Sequence, residues 1–309
     1  MAAVAGPHEY LVALFDVLGF EHRLRAAGLD QMLAAYHALV DDVIQRNLDM
    51  ARLFGTMKFS EAPYWTSEGD VSIFNKIQGA FASDSILLWA NRTWPELHGK
   101  SPRKLAQLAK TPGEGWKAHP VPCDNFLDAC NELICHSLEI GLPLRGAVAA
   151  GLAVMDEPNR IFLGVPIVDA ARMERAQQLI GASLTDSFLK QHVPKRYVLP
   201  FTEHLKQGHL APWGGLVLDW PRHWRNTRRS NPAEQVRAKN LDSRHSAYYD
   251  KTLDLIAYSQ RFASEHQQER DISIRAQYVQ FADPKLKVRA RAVRRVPIAE
   301  VTGKGQENA

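Results

Sequence analysis

The chain has 309 residues, of which 45% are hydrophobic and 23% charged, and its formal net charge is only +4. This is ordinary globular composition, long enough for one large domain or two small ones. No stretch approaches the ~18 uncharged apolar residues of a membrane span, and the start lacks the basic flank and apolar stretch of a signal peptide, so we expect a cytoplasmic protein. Three cysteines, Cys123, Cys130 and Cys135, lack CxxC spacing, which argues against a disulfide framework or a zinc site.

The N-terminal part is predicted to form a strand followed by a helix. The apolar run 10–16 ends at Asp16 and is followed by Gly19, as expected of a buried strand that enters a turn. Apolar residues at helical spacing over 32–44 then predict an amphipathic helix, with Asp30 placed to cap its start.

The next predicted elements are a strand pair, an insertion and a second helix. The run 79–90 is apolar but is interrupted by Asp84, which indicates a strand or a hairpin. Residues 91–122 are rich in Pro, Gly and Lys and are predicted to be a surface insertion. An apolar stripe then predicts a helix, with Asp124 as its N-cap and Gly141 as its C-terminal signal.

The remaining chain alternates strands and helices. Strands are predicted at 144–155, 160–164 and 216–220, a helix in "VPIVDAARMERAQQL", and helical structure over 232–266. The tail after Thr302 is predicted to be disordered. This order predicts an α+β fold of the ferredoxin-like kind, one antiparallel sheet with helices on one face.

Basic residues cluster in two places, 221–229 and 285–295. Such runs can bind phosphate groups or nucleic acid, although a solvated charged surface is the commoner explanation. In the second run the charges alternate with apolar residues, which suits a strand with one wet face better than a nucleic-acid helix.

Two aspartates lie at the edges of predicted strands, Asp16 and Asp84. Facing side chains on neighbouring antiparallel strands are about 5 Å apart, so the two carboxylates could converge on one cation. Mg²⁺ and Mn²⁺ prefer oxygen ligands and usually keep substrate phosphates in their remaining positions, so a paired-carboxylate site implies a nucleotide. Taken singly, either aspartate is more often a turn or cap residue than a metal ligand.

Three stretches in this order resemble the class III nucleotide cyclases. "FDVLGF" is similar to the first-strand motif of that family, "FASDSILLWA" to its Gly-Asp and following strand, and "LRGAVAAG" with "FLGVPIVDAARMERA" to its strand, glycine and helix. The resemblance covers about the first 180 residues. In the third stretch the matching residues are Gly164, Ala170, Arg172 and Glu174.

The resemblance implies a cyclase-type sheet and assigns the metal ligands. They would be Asp16, the backbone carbonyl of Val17, and Asp84, with Ser83 in the family's glycine position. A rival for the second ligand is Asp70, which follows a literal glycine. We also predict two parts of the chain: a catalytic domain, 1–220, and a basic, helical extension, 221–309, packed on that core.

The resemblance also implies the reaction. The 3′-hydroxyl of a nucleoside triphosphate would attack its own α-phosphate with two Mg²⁺ or Mn²⁺ ions bound, and pyrophosphate would leave. Arg172 would stabilise the charge on the transferring phosphoryl group, across a homodimer in which two chains share each site. The family's asparagine is replaced by Val168. The residue for the terminal phosphates stays open among Arg222, Arg225, Lys195 and Arg196.

The substrate pocket would include Phe20, Ala80, Ile161 and Val168. At Ala80 and Ile161 the purine cyclases carry polar base-reading residues, which this chain lacks. In this it looks like the pyrimidine cyclases of the bacterial Pycsar anti-phage systems, whose cyclic UMP or cyclic CMP activates a separately encoded effector; UTP is the favoured substrate. The alternatives are a purine cyclase with an unusual pocket, or a non-catalytic, nucleic-acid-binding α+β protein that uses the basic runs. A polymerase palm ranks last.

Overall fold

The structure is a computed structural model. It describes residues 7–39, 64–65, 71–74, 77–92, 117–119, 123–156, 159–192, 194, 196–209, 215–239 and 243–266.

Two sheets organise the described residues. The strands are β1 His8–Val17, β2 Tyr64–Trp65, β3 Val71–Phe74, β4 Gln78–Ala82, β5 Ser85–Asn91, β6 Lys117–His119, β7 Leu144–Asp156, β8 Ile161–Gly164, β9 Gly181–Leu184, β10 Val198–Pro200 and β11 Leu216–Leu218. Within the described chain, the larger sheet has the order β10-β11-β9-β7-β1-β5-β4, with β8 paired to the end of β7. Its β7–β9 pair is parallel and its other pairs are antiparallel. Strands β2, β3 and β6 form a separate small sheet.

The helices of the described chain are α1 Phe20–Ala27, α2 29–39, α3 Cys123–Glu139, α4 Val165–Ala176, α5 Asp186–Gln191, α6 Trp220–Thr227, α7 Pro232–Ala238 and α8 Ser246–His266. The α+β prediction is therefore confirmed, with an open, mainly antiparallel sheet.

One face of the sheet carries the main core. Alternate residues of β1, such as Leu11 and Phe15, are fully buried there together with Phe126 of α3 and Leu255 of α8. The C-terminal helix α8 thus contributes to the same core cluster as the first strand.

The opposite face is covered by α4 and β8. The other residues of β1, including Tyr10 and Val12, form a second small cluster there. Ala147 and Ala149 of β7 pack against Ala170 of α4, and their small side chains let the helix lie close to the sheet. The expectation of helices on one face only is therefore wrong, and the near-continuous apolar composition of β1 and β7 reflects burial on both sides.

Other boundaries differ slightly from the predicted ones. The run 79–90 is the β4–β5 hairpin, and the predicted strand 216–220 ends at Leu218 because Trp220 already opens α6. Asp124 and Asp30 lie in the first turns of α3 and α2 rather than before them, where a negative charge is also favourable. The insertion 91–122 lies outside the described residues except for 91–92 and 117–119, and the tail and the run 285–295 lie outside them entirely.

An ion cluster joins α3 to the end of α6. Arg228 donates to both carboxylate oxygens of Glu132, at 2.9 and 3.0 Å, and its Nε lies 3.1 Å from Glu139. The ring nitrogens of His223 lie 2.7 Å from Glu132 and 3.1 Å from Asp128. Although burial opposes the shift, hydrogen bonds from His223 and Arg228 lower the pKa of Glu132 to about 2. Part of the first basic run is therefore engaged inside the protein.

Candidate active site

The two predicted metal ligands are brought together at one end of the large sheet. Asp16 lies near the end of β1, on the face that carries Tyr10 and Val12. Asp84 lies in the tight turn between β4 and β5. The backbone N–H of Val17 donates to the carbonyl oxygen of Asp84 at 2.9 Å, which ties this turn to β1. The rival ligand, Asp70, lies outside the described residues.

The turn that carries Asp84 is held from a second side. Ser83 has a φ of 57°, in the left-handed region that favours glycine. The hydroxyl of Tyr36 on α2 donates to the Ser83 carbonyl at 2.9 Å. The Tyr36 ring packs edge-on against Phe20 and Phe81, with ring centres 6.4 and 5.9 Å apart. Backbone contacts therefore set the position of Asp84.

The charges at this end of the sheet are crowded and partly desolvated. Burial raises the pKa of Asp16; Arg145 opposes this shift, and the charge of Asp84 and a hydrogen bond to it raise the pKa further. Burial, then the charges of Asp84 and Asp16, raise the pKa of the Tyr36 phenol above its usual range. Two neighbouring carboxylates in such a place favour a bound cation.

The donor set fits a divalent cation of the Mg²⁺ type. Asp16 and Asp84 supply carboxylate oxygens from two directions, and the carbonyl of Val17 follows directly in the chain. Within the described ranges no group of three or more His, Cys, Asp or Glu side chains is arranged to hold a metal ion, at this end of the sheet or elsewhere. A pair of carboxylates is what Mg²⁺ commonly uses, because it keeps waters and phosphate oxygens as its other ligands.

Arg145 is a site residue that the sequence did not predict. It opposes Asp16 in the register of β1 and β7, and its Nε lies 3.0 Å from Asp16 Oδ2 and 2.6 Å from Glu174 Oε1. Its place just before Gly146 was the signal available in the sequence. In the structure, a Cβ on that glycine would lie 2.4 Å from the Phe15 ring. That glycine lets β7 approach β1 closely beside Asp16.

Helix α4 turns Glu174 and Arg172 in different directions. Glu174 is only 6% exposed, and burial raises its pKa, against the opposing charge of Arg145. Glu174 therefore pairs with Arg145. Arg172 is exposed, as is Val168 one turn earlier. Among the described residues no contact joins Arg172 to Asp16 or Asp84.

The other predicted substrate residues are apolar and lie in three different surroundings. Ala80 on β4 packs against the second cluster, as does Phe162 of β8, while Ile161 is 44% exposed beside it in the chain. Phe20, at the start of α1, packs instead against the main core. The structure thus places Ala80 and Phe20 in different clusters, and Ile161, which alternates with Phe162 along β8, on the other face of that strand.

The candidate residues for the terminal phosphates lie elsewhere. Arg222 and Arg225 are on α6, which packs on α3 and α8, and Arg225 donates to Ser259 at 2.9 Å. Arg196 is exposed next to β10, and Lys195 lies outside the described residues. The structure instead places Lys206 near the carboxylates. Burial raises the pKa of Glu174, the charge of Arg145 lowers it and that of Asp16 raises it, and the charge of Lys206 lowers it further.

Comparisons with known proteins give distant structural similarities. No protein-family model and no curated protein sequence matches the chain significantly. The catalytic core of a rhodopsin-guanylyl cyclase with converted specificity, solved with ATPαS, is 13% identical with a TM-score of 0.38, covering 69% of this chain and 96% of that one. The guanylyl cyclase Cya2 is 12% identical, with a TM-score of 0.33 and coverage of 70% and 92%. The adenylyl cyclase CyaB from P. aeruginosa is 12% identical, with a TM-score of 0.35 and coverage of 69% and 94%.

Similarity at this level does not establish a shared function. The case for a function therefore depends on the site itself. In the described part of the chain, no helix combines the length and apolar character needed to cross a membrane.

Proposed function

We propose that the chain is a metal-dependent nucleotide cyclase that converts a pyrimidine nucleoside triphosphate, with UTP favoured, to its 3′,5′-cyclic monophosphate and pyrophosphate. The observation that carries this proposal is the meeting of the Asp16 and Asp84 carboxylates beside Arg145 at one end of the sheet. A divalent cation bound by these carboxylates would lower the pKa of the attacking 3′-hydroxyl and offset the charge of the triphosphate.

The remaining roles belong to side chains around this pair. Arg145 would bind phosphate oxygens, because its guanidinium lies directly beside the carboxylates and planar N–H donors suit phosphate. Lys206 would add a second positive charge for the terminal phosphates. Arg172, exposed on α4, would reach the transferring phosphoryl group of a partner chain.

The base preference is supported by the apolar side chains at two positions. Ala80 and Ile161, at the positions that read a purine in the resembling family, offer neither a charge nor a strong hydrogen-bond donor. Apolar side chains there can contact a base but cannot pair with a purine edge. The role in anti-phage defence, in which the product activates a separately encoded effector, rests on the sequence resemblance alone.

A homodimer is supported by five exposed apolar side chains on β7, β8 and the start of α4, the helix that carries Arg172. Their exposed fractions are 59% for Leu152, 44% for Ile161, 62% for Leu163, 68% for Val165 and 48% for Val168. Large apolar side chains exposed on neighbouring elements are typical of an interface. A second copy of the chain seated there would bring its own Arg172 towards the other site.

The test is product identification. Purified protein is incubated with Mn²⁺ and each of the four ribonucleoside triphosphates, and the products are identified by mass spectrometry. Cyclic UMP is expected from the wild type and from Asp254→Asn, an exposed aspartate on α8, and none from Asp16→Ala or Asp84→Asn. Cyclic AMP or cyclic GMP alone would favour the purine alternative, and no cyclic product at all would refute the cyclase proposal.

The shared site is tested by complementation. Mixing inactive Asp16→Ala protein with inactive Arg172→Ala protein should restore part of the activity, because one of the two sites in a mixed dimer keeps both groups. Mixed dimers that form but stay inactive would contradict the shared site.

A further inference from the structure

The first turn of α8 carries two consecutive tyrosines with different surroundings. Tyr249 is buried in the main core, 2% exposed, whereas Tyr248 is only partly buried and lies at the sheet end that carries Asp16. Helix α8 belongs to the C-terminal segment, for which the sequence suggested no role. Its two tyrosines contact two different arginines.

Tyr248 contacts the cationic side chains of the candidate site. Nη1 of Arg145 donates to the Tyr248 hydroxyl at 2.9 Å, and the Arg145 guanidinium carbon lies 5.6 Å from the ring centre. Nζ of Lys206 lies 5.8 Å from the same ring centre. The ring of Tyr248 therefore contacts both cations to which the proposed function assigns phosphate binding.

Tyr249 has a structural role instead. Its hydroxyl accepts a hydrogen bond from Nη2 of Arg23 at 2.9 Å and donates to the carbonyl of Lys239 at 2.9 Å. Arg23 also donates to the carbonyls of Leu18 and Gly141, at 3.0 and 2.7 Å. These bonds anchor the start of α8 to the loop after β1 and to the end of α3.

The contacts of Arg145 show why it needs a third partner. Its Nε donates to Asp16 at 3.0 Å and lies 2.6 Å from Glu174 Oε1, so both carboxylate contacts are made at one nitrogen. The Tyr248 hydroxyl, which accepts from Nη1, adds a second fixed point at the other end of the planar group. Two such points set the orientation of the guanidinium plane.

We infer that Tyr248 is a positioning residue: it orients the Arg145 guanidinium for phosphate binding, and so makes helix α8 part of the active site. This inference rests on the proposed function, since it concerns the triphosphate end of the same site. A single hydrogen bond to a charged group, when lost, changes an affinity by about tenfold.

The experiment compares Tyr248→Phe, which removes the hydroxyl but keeps the ring, with its neighbour Tyr249→Phe as a matched control. Tyr248→Phe is expected to raise the KM for UTP about tenfold, with kcat changed less than twofold, and to weaken binding of inorganic tripolyphosphate by a similar factor. Tyr249→Phe is expected to lower the unfolding temperature and leave both the KM and tripolyphosphate binding as in the wild type.

A double-mutant cycle tests whether Tyr248 acts through Arg145. Arg145→Lys keeps the positive charge beside Asp16 and Glu174 but lacks the second donor nitrogen. In that background Tyr248→Phe should have less than a twofold further effect, because the partner of its hydroxyl is gone. A tenfold effect in both backgrounds, or none in the wild type, would overturn the inference.

The binding measurement separates this inference from the proposed function. If the wild type forms cyclic product but Tyr248→Phe leaves its KM unchanged, the positioning role fails and the cyclase proposal stands. If no nucleotide is cyclised, the cyclase proposal fails, and calorimetric binding of tripolyphosphate to the same variants still decides the role of Tyr248. Equal tripolyphosphate affinity in the wild type and Tyr248→Phe then overturns that role.

Discussion

Replacing Asp16 with asparagine is expected to stabilise the metal-free protein and to remove its stabilisation by Mn²⁺. Burial and the neighbouring Asp84 raise the pKa of Asp16, and Arg145 offsets this shift only in part. A carboxyl whose pKa is raised on folding binds its proton more tightly in the folded state, so the free energy of unfolding falls as the pH rises from 3.8 through the folded pKa. Once the pH exceeds the folded pKa that loss is complete, and asparagine avoids it.

Bound Mn²⁺ stabilises the wild type, and the size of that stabilisation gives the expected difference from Asp16→Asn. A ligand that binds only the folded state stabilises it by about 2.7 kcal/mol at a hundred times its Kd. In a chain of this size each kcal/mol raises the unfolding temperature by about 2 °C, so saturating Mn²⁺ should raise that of the wild type by about 5 °C. Asp16→Asn lacks one of the two carboxylates and should show almost no rise.

The assay is thermal unfolding with EDTA and with Mn²⁺, for the wild type, Asp16→Asn and the exposed control Asp254→Asn. The control should behave as the wild type in both buffers. The reasoning would be refuted if Asp16→Asn unfolded at a lower temperature in EDTA and gained as much from Mn²⁺ as the wild type. Asp16 would then be the structural partner of Arg145, not a metal ligand.

Three further predictions concern the scaffold. Ser83→Gly should raise the free energy of unfolding in urea by about 1 kcal/mol, because glycine adopts the φ of 57° without strain; a decrease would show that the serine side chain is needed. Gly146→Ala should lower it by about 3 kcal/mol, because the added Cβ would lie 2.4 Å from a ring carbon of β1; unchanged stability would contradict the close approach. Although burial opposes the shift, hydrogen bonds to Asp128 and Glu132 raise the pKa of His223 to about 9. Its contribution is fully present below pH 6.5 and is lost as the pH rises through 9. The wild type should therefore lose roughly 3 kcal/mol between pH 6 and 9.5, and His223→Gln should not; an equal loss in both would assign the pH dependence elsewhere.

The strands of the fold were predictable because their apolar runs are long. β1 and β7 are nearly continuous apolar segments bounded by turn residues, and both were located to within a few residues. Their surroundings were not predictable, since such a run is compatible with a helix on either face or on both. Ala147 and Ala149 admit α4 on the second face, and nothing in a single strand identifies the helix that will cover it.

Part of the candidate site was likewise predictable from the sequence, and part was not. The meeting of Asp16 with Asp84 was predicted, because each carboxylate interrupts an apolar run at a strand edge. Arg145 and Tyr248 were missed, because their proximity to Asp16 depends on the register of β1 with β7 and on the packing of α8. Register and long-range packing leave no local signature in the residues concerned.

The buried ion pair between Glu174 and Arg145 also fixes the outward face of α4. Residues two apart on an α-helix point about 200° away from each other, so Arg172 and Glu174 lie on nearly opposite sides. Rotation of α4 about its axis would pull Glu174 away from Arg145, 2.6 Å distant, and leave a charge buried without a partner. The direction in which Arg172 leaves the molecule is thus determined by a carboxylate on the far side of its own helix, and any change that neutralises Glu174 should misdirect an arginine that Glu174 never touches.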